Sequence, residues 1–453
     1  MNISFFRTLP LAALLAATAH ARAPVVVAPG TMTSLPDPLD IRSAILYAFD
    51  HNYAILQSRE QILQQDGVIV QARAQEIPNV GATAGYQRGE ATVSQSYPPE
   101  TALWTAEVKA TQALFAGGGI TATVRGAKLT RDAALFDLQT TMNTALLDVR
   151  TKFYNVLLAR EQVGVQEENI KLLERQLQDT RNQFHAGSVS NFEVLRAQVA
   201  LANAQPDLIT ARNNYRVGIE QLRQSLGAPS GAGGSTHFPT VAGTLDFTPQ
   251  AYDLDLALAS AHAHRPELLR IGKQEDAGDQ SVKAAKSTYY PNLSAFGAYE
   301  WGGADVVGTS TIAGGTHYAN GWLFGLQSSW AIFDGRATAG KVQQANSQLN
   351  QTRLAYAAEE LAINVEVRQA FSSLEEAAEL VAASQKTVEE AAEALRLANE
   401  RYHAGSATQL DVLTSQVSLT QARTNQLQAN YNYLVAVAAM RKAIGLGDAQ
   451  VGN

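Results

Sequence analysis

Cysteine is absent from all 453 residues, which excludes a disulfide framework, a thiolate metal site, a cysteine nucleophile and a lipid attached through a cysteine. Charge is scarce: 17% of residues are Asp, Glu, Lys or Arg, against about 25% in an average soluble domain. The formal net charge of −7 argues against a nucleic-acid partner. Beyond the N-terminus there are no long apolar runs. The longest late stretch, Tyr433 to Met440, falls far short of the roughly 20 residues a spanning helix needs. A membrane-spanning part of the mature chain could therefore only be a closed β-barrel, which pairs every backbone polar group. A phosphate loop of the form GxxxxGKS or GxxxxGKT is missing as well, and the glycine-rich stretches Gly117 to Gly119 and Gly231 to Gly234 fall at a strand end and in a linker. No Ser/His/Asp set or carboxylate pair stands out. The chain is read as no enzyme, with no cofactor and no metal.

What is present begins with an address. Met1 to Ala23 has one charge, Arg7, a short apolar core from Leu9 to Ala17, and small residues at Ala19-His20-Ala21. Residues 1–21 read as a secretory signal peptide, followed by an extended segment over 22–38.

The remainder is written twice. At an offset of 213, His51 matches His264, Pro78-Asn79 matches Pro291-Asn292, and Tyr86 matches Tyr299. At an offset of 218, Trp104 matches Trp322, Phe115 matches Phe333, and His185-Ala186-Gly187-Ser188 matches His403-Ala404-Gly405-Ser406. A dozen matches in order define two repeats, 39–227 and 254–445. They are joined by a linker over 228–253 rich in Gly, Ser, Thr and Pro, and followed by a tail over 446–453.

Within each repeat the hydrophobic period changes twice. Helical spacing over Ile41 to Glu76, and over Leu254 to Tyr289, ends at a proline. Period two follows: Val80, Ala82, Ala84 and Tyr86, then Trp104, Ala106, Val108 and Ala110. The second copy has Leu293, Ala295, Gly297, Tyr299 and Trp301, then Trp322, Phe324, Leu326 and Trp330. Each repeat thus predicts a hairpin of strands roughly ten residues long, enough for a tilted membrane strand, with aromatics placed for an interfacial girdle. A soluble hairpin packed on one face would show the same alternation. Helical spacing then returns, with Leu135, Met142, Val149, Val156, Val163, Ile170 and Leu177 seven apart, and Val367, Leu374, Val381, Val388 and Leu395 likewise. A strict seven-residue repeat predicts a coiled-coil seam. Each long helix stops at His-Ala-Gly-Ser, where glycine closes a C-terminus, and a second helix returns. Pro206 lies in the first returning helix, where it should bend one copy and not the other.

Four membrane strands cannot close a barrel, and an open sheet in lipid leaves two edges unpaired, so membrane strands require oligomerisation. At this point the chain resembles the TolC-type outer-membrane channels of Gram-negative efflux and secretion systems. The resemblance rests on Pro78-Asn79 and Pro291-Asn292 before the first strands, and on Leu114-Phe115-Ala116-Gly117 and Ile332-Phe333-Asp334-Gly335 after the second. It rests also on the tips, Gly187 with Glu193-Val194-Leu195 and Gly405 with Asp411-Val412-Leu413. It implies a mainly α fold with membrane β: a homotrimer whose twelve-stranded β-barrel in the outer membrane continues as a long α-helical coiled-coil barrel into the periplasm. It also implies docking of the tips onto a periplasmic adaptor and an inner-membrane pump, with outer-membrane lipid around the strands. The function so implied is the passive exit duct of a tripartite efflux pump. The exit duct of a type I protein secretion system is the alternative, and a periplasmic coiled-coil adaptor the reading from a different class.

The resemblance carries over a gate in part. Asp411 matches an acid that symmetry gathers into a ring, but the second acid expected three residues on is Thr414. Tyr402 matches a tyrosine that ties the closed tip, Ala407 stands where an arginine is expected, and Glu193 replaces an aspartate. Asp411 and Glu193 would equally suit the first turn of a helix, where acids complement the macrodipole. The tips themselves, His185, Gly187, Ser188, His403, Gly405 and Ser406, are expected at the adaptor, with the histidines able to tune docking or to cap carbonyls. Tyr86, Trp104, Tyr299, Trp301, Trp322 and Trp330 are expected at the membrane interface. His262 and His264 do not share a helix face and are read as structural.

Overall fold

The protein is described here by a computed structural model that covers residues 35–90, 100–229, 238–306 and 314–446. The segments read as signal peptide and C-terminal tail lie outside these, apart from Leu446, as does the glycine-rich part of the linker. In the first half, α1 (Ile41–His51) and α2 (Tyr53–Arg73) lead through a 3₁₀ turn, Ala74–Glu76, into β1 (Asn79–Arg88) and β2 (Glu100–Ala116). Two long helices follow, α3 (Gly119–His185) and α4 (Asn191–Leu226). The second half has the same order: α5 (Leu254–His264), α6 (Pro266–Ser287), β3 (Asn292–Val306), β4 (Gly315–Ser329), α7 (Ala337–His403) and α8 (Gln409–Ala443). Helices α3 and α7 each have 67 residues, about 100 Å at 1.5 Å per residue. Pro206 lies inside α4, which remains one helix across it.

The opening helix expected in each half is two helices. In the first, Asn52 is extended (ψ 124°) and its Oδ1 caps the next helix by accepting from the Ala54 and Ile55 N–H groups. In the second, Arg265 is extended because Pro266 follows it. Each break also bonds the end of a distant helix. Asn52 Nδ2 donates to Ser225 O (2.7 Å) and Arg265 Nη1 to Ala443 O (3.3 Å). The ends of α4 and α8 thus abut the starts of α2 and α6. Near the sheet the helices lie side by side in the order α2, α3, α6, α7; toward the far end the order is α4, α3, α8, α7.

The four strands form one antiparallel sheet in the order β1-β2-β3-β4, leaving β1 and β4 as open edges. The strands exceed the expected ten residues in three cases. β2 has 17 residues and includes Leu114 to Ala116, and β3 and β4 have 15 each. Trp330 lies beyond β4, and its Nε1 donates to Tyr289 O (3.1 Å) at the end of the preceding helical segment. It is therefore a clasp at the sheet–helix junction, not a strand residue.

The apolar seams thicken into two cores around the linker. One gathers Leu39, Val149, Phe153, Val156, Leu157, Leu222, Leu226 and Val241; the other gathers Val367, Leu374, Val381, Tyr433 and Met440. The linker is tied to both. Arg160 donates to Val241 O (2.8 Å) and Gly243 O (2.7 Å). The Tyr433 hydroxyl donates to Thr248 O and accepts from the Gln250 N–H, both at 2.8 Å.

Candidate functional site

Strand register decides which side chains share a face, because neighbours across a ladder point the same way. Tyr86 pairs with Trp104, Ala82 with Val108, Val108 with Tyr299, and Tyr299 with Trp322. Ala106 pairs with Trp301, and Gly297 with Phe324. One face therefore collects Val80, Ala82, Ala84, Tyr86, Trp104, Val108, Tyr299, Trp301, Trp322, Phe324 and Leu326. Its large side chains are exposed, Trp322 by 70% and Phe324 by 71%. So large an aromatic surface, open to solvent in a single chain, marks contact with lipid or protein. The opposite face is mostly small and polar: Gly81, Thr83, Gly85, Thr105, Glu107, Lys109, Thr111, Glu300, Gly302, Gly321 and Gly325 share it by the same register, with Leu103, Phe296 and Leu323 as its large apolar members. Five of the six aromatics expected at the interface lie on the apolar face, and Trp330 does not.

At the far end, both long helices close by the same backbone device. Gly187 (φ +77°) and Gly405 (φ +72°) take the left-handed conformation, and the N–H groups of Ser188 and Ser406 donate to Gln183 O and Arg401 O, both at 2.8 Å. Capping is thus by backbone groups of the glycine and serine, and the rings of His185 and His403 are not used for it. Asp411 and Thr408 form a capping box: the Thr408 N–H and hydroxyl both donate to Asp411 Oδ2 (2.8 Å), and the Asp411 N–H donates to Thr408 Oγ1 (3.3 Å). The backbone bond from Thr408, then its hydroxyl, hold the Asp411 carboxyl below its ordinary pKa. Asp411 and Thr414 are exposed on one side of α8.

Glu193 and Tyr402 belong to a different, more enclosed group. Tyr402 on α7 donates its hydroxyl to Gln183 Oε1 on α3 (2.9 Å). Burial, with the Glu193 charge adding to it, raises the Tyr402 pKa. Gln409, 2% exposed at the start of α8, lies between Thr180 of α3 and Glu193 of α4. Its amide nitrogen faces Glu193, 2.6 Å from Oε2 and 3.2 Å from the backbone oxygen, while its oxygen accepts from Thr180 Oγ1 (2.9 Å). The reverse orientation would set the amide oxygen against two acceptors. Glu193 is also paired with Arg196 (3.2 Å).

The two helical hairpins differ from the joint between them. Within the hairpins the contact is mainly apolar, Leu177 with Val194 and Ala197 in one and Leu395 with Val412 and Leu419 in the other, with one exposed ion pair, Glu167–Arg212 (2.8 Å), in the first. Between α3 and α8, Leu173 meets Leu413, but polar ties dominate. Beyond Thr180–Gln409 they are Asn169–Gln416 (3.0 Å) and Glu168–Arg423 (2.7 Å). With Tyr402, the partners on the second hairpin recur every seven residues: 402, 409, 416, 423. Each such bond is worth about 1 kcal/mol net, and the exposed Glu168–Arg423 pair less. Thr180, Gln183 and Gln409 were not singled out by sequence. The available signal was a polar residue, Thr180, three after Leu177 of the seven-residue series, where the seam calls for an apolar one.

His262 and His264 diverge as expected. His262 meets Asn364 (2.8 Å) and Glu360 (3.6 Å), while His264 meets Ser260 O (3.0 Å). Among the described residues no group of three or more His, Cys, Asp or Glu could hold a metal, and no helix is long and apolar enough to cross a membrane.

A family model described as outer membrane efflux protein matches the chain twice, over residues 47–228 and 257–446. Outer membrane protein TolC of Escherichia coli (strain K12) is 25% identical over 68% of this chain. That alignment covers 62% of TolC, a little under two thirds of its length. Outer membrane efflux protein BepC of Brucella suis biovar 1 (strain 1330) is 25% identical over 89% of this chain and 85% of its own. Among solved structures, CusC superposes with a TM-score of 0.75 at 15% identity, covering 89% of this chain and 92% of that one.

Proposed function

The chain belongs to the outer membrane efflux protein family, and on that premise we propose that it is the passive outer-membrane exit duct of an efflux pump, carrying small molecules across the periplasm and the outer membrane. The observation that supports this most is the sheet. It has one lipid-grade aromatic face, one predominantly small and polar face and two unpaired edges, and it continues into four helical columns. Open edges in lipid cost several kcal/mol per unpaired backbone group, so edge β4 of one copy pairs with edge β1 of the next. Three copies supply twelve strands from four each, closing a barrel with the polar face inward.

The helices support the same head-to-tail assembly. Toward the tip α4 and the second half of α7 lie at opposite edges and expose apolar side chains, Phe192, Leu195, Val199 and Ile209 on one and Leu380 and Leu397 on the other. Nearer the sheet α2 exposes Leu63 and Val70, and α7 exposes Leu354, Leu361 and Val365. Heterologous pairing of two such edges closes a ring. The tips at Gly187 and Gly405 then lie far from the membrane, placed for a periplasmic adaptor and, through it, an inner-membrane pump. No nucleotide site is needed, since that pump supplies the energy.

At the tip, three copies of Asp411 form an acidic ring that favours cations. Its lowered pKa keeps the carboxylate charged at neutral pH. Asp411→Asn in planar bilayers tests this: cation preference should fall, and an unchanged preference refutes the ring. The duct itself is tested by membrane fractionation with a mass measurement in mild detergent, where a trimer in the outer-membrane fraction is expected and a soluble monomer refutes it. Deletion of the gene should sensitise cells to small toxic compounds; loss of protein export with unchanged tolerance would select the secretion role instead.

A further inference from the structure

Most of the polar ties between the hairpins join two helices. Gln409 joins three. From the first residue of α8 it reaches Thr180 on α3, which is 0% exposed, and Glu193 on α4, and the amide itself is almost wholly shielded from water. Its position is fixed from behind by the Thr408–Asp411 capping box, which locks the first turn of α8. Four residues from it along the other three helices, Thr180, Gln183, Glu193 and Tyr402, complete a cluster to which every helix of the tip contributes. Separation of the α7/α8 hairpin from α3 leaves the Gln409 amide without these partners, while the Thr180 hydroxyl falls back on Gln176 O of its own helix (2.8 Å) and Glu193 on Arg196 (3.2 Å). Breaking Tyr402–Gln183 exposes a half-buried pair. Breaking Gln409 disrupts a buried one, and a buried polar group without a partner is the costlier outcome.

We propose that Gln409 is the latch of the closed tip, a positioning residue whose bridge between Thr180 and Glu193 must break before the duct opens. This rests on the reading of the tip as a gate and names the residue that governs it. Asp411, beside it, then has two separate tasks: its exposed face supplies charge to the pore, and its capping contacts hold the helix start on which Gln409 sits.

The chemistry of the bridge gives a specific test. Gln409→Glu places a second carboxylate where the amide nitrogen donates to Glu193. Arg196 pairs with Glu193 from its own helix. Asp411 lies in the same first turn of α8, and Tyr402 faces Glu193 from α7. The other nearby cation, Arg401 of α7, acts on Asp411 and donates to Ser406 O (3.3 Å), so no free cation is placed for the new carboxylate. Full-length protein purified as the assembled oligomer is reconstituted in planar bilayers, and single-channel conductance is recorded. Gln409→Glu should conduct several-fold more than the parent. Gln409→Glu with Glu193→Gln should return to the parent value, because the amide now sits on the other side of the same bond. Conductance that stays raised in the double variant overturns the latch. So does Gln409→Glu at parent conductance while Tyr402→Phe opens the channel. If both single variants leave conductance unchanged, the tip is not a gate, and the proposal falls with that reading. Should Gln409→Glu fail to assemble, Thr180→Val removes the hydroxyl at nearly constant volume. A raised conductance then supports the latch, and the parent value overturns it.

Discussion

Replacing Gly227 by alanine probes the joint between the returning helix and the start of the chain. Gly227 ends α4 in the left-handed conformation (φ +73°), and its backbone lies against His51 and Asn52. A Cβ there would fall on the His51 carbonyl oxygen, 2.8 Å from its carbon and 3.2 Å from Asn52 Cα. These neighbours are backbone, so they cannot rotate away. Left-handed geometry costs a non-glycine residue about 1–2 kcal/mol, and forcing the two backbones apart adds about 1–3 kcal/mol. The same displacement strains the Asn52 Nδ2 to Ser225 O bond, worth about 1 kcal/mol net. The sum is about 3–6 kcal/mol per chain. Gly187→Ala is the control: its φ is +77°, and a Cβ there meets nothing within 4 Å, so only the conformational cost of about 1–2 kcal/mol remains. Unfolding free energies of the two purified variants, from denaturant midpoints measured at equal protein concentration, should differ by at least about 2 kcal/mol, with Gly227→Ala the less stable. Asn52→Ala should add less to Gly227→Ala than to the parent, since both act on one joint. Equal midpoints for the two glycine variants would refute the steric argument.

Other expectations come from the helix joint and the sheet. Glu366 is raised by burial, but the hydrogen bond and charge of Arg265, with Lys442, outweigh this and lower its pKa below 4.5. A lowered carboxyl contributes stability above its unfolded pKa that is lost as pH falls through the folded one, so the protein should weaken below about pH 4.5. Glu366→Gln should lose about 1–3 kcal/mol at pH 7, less than a fully buried pair because the side chain is 37% exposed, and should flatten the acid limb of a stability–pH curve. Val108→Arg puts a charge on the aromatic face and should cost about 2–4 kcal/mol per chain, whereas Thr105→Arg on the polar face should cost little stability. The yield of assembled protein in outer-membrane fractions separates them, and equal yields would mean that the faces are wrongly assigned.

Much of this architecture was legible because it depends on local signals. Pro78 and Pro291 mark where helix gives way to strand, and β1 and β3 begin one residue later. Gly187 and Gly405 mark helix ends, and both helices stop two residues before them. The breaks at Asn52 and Arg265 were missed because a one-residue interruption hardly disturbs a 3.6-residue period; Pro266 was the visible clue. Alternation carried Trp330 into a strand that ends at Ser329, since periodicity cannot report where pairing stops. The amides at the tip, one buried and one half-buried, were harder. Gln409 and Gln183 look like ordinary surface residues until helices more than 200 positions apart come together, and Tyr402 and Glu193 were reached through family resemblance, not spacing.

The two halves share an order of elements but not the chemistry of their joints, and this sets where the second hairpin can move. At its equatorial end Arg265, 3% exposed, binds Glu267 (2.9 Å) and Glu366 (2.7 Å), and Lys442 reaches Glu366 from α8 (3.2 Å). The corresponding joint of the first half is the neutral Asn52–Ser225 bond. Removing Glu366 from this partly exposed network costs about 1–3 kcal/mol, while each tie to α3 is worth about 1. From Glu366 to the tip at His403, α7 runs about 55 Å at 1.5 Å per residue. A hairpin fixed more strongly at one end than along the rest should yield from the free end. On the proposed gating the displacement is expected to be largest at Tyr402 and Gln409 and least toward Glu366, with the strands beyond that anchor taking no part. If the tip is the proposed gate, the two ends should be separable in conductance: Glu366→Gln should move the denaturation midpoint and leave conductance alone, whereas Gln409→Glu should raise conductance.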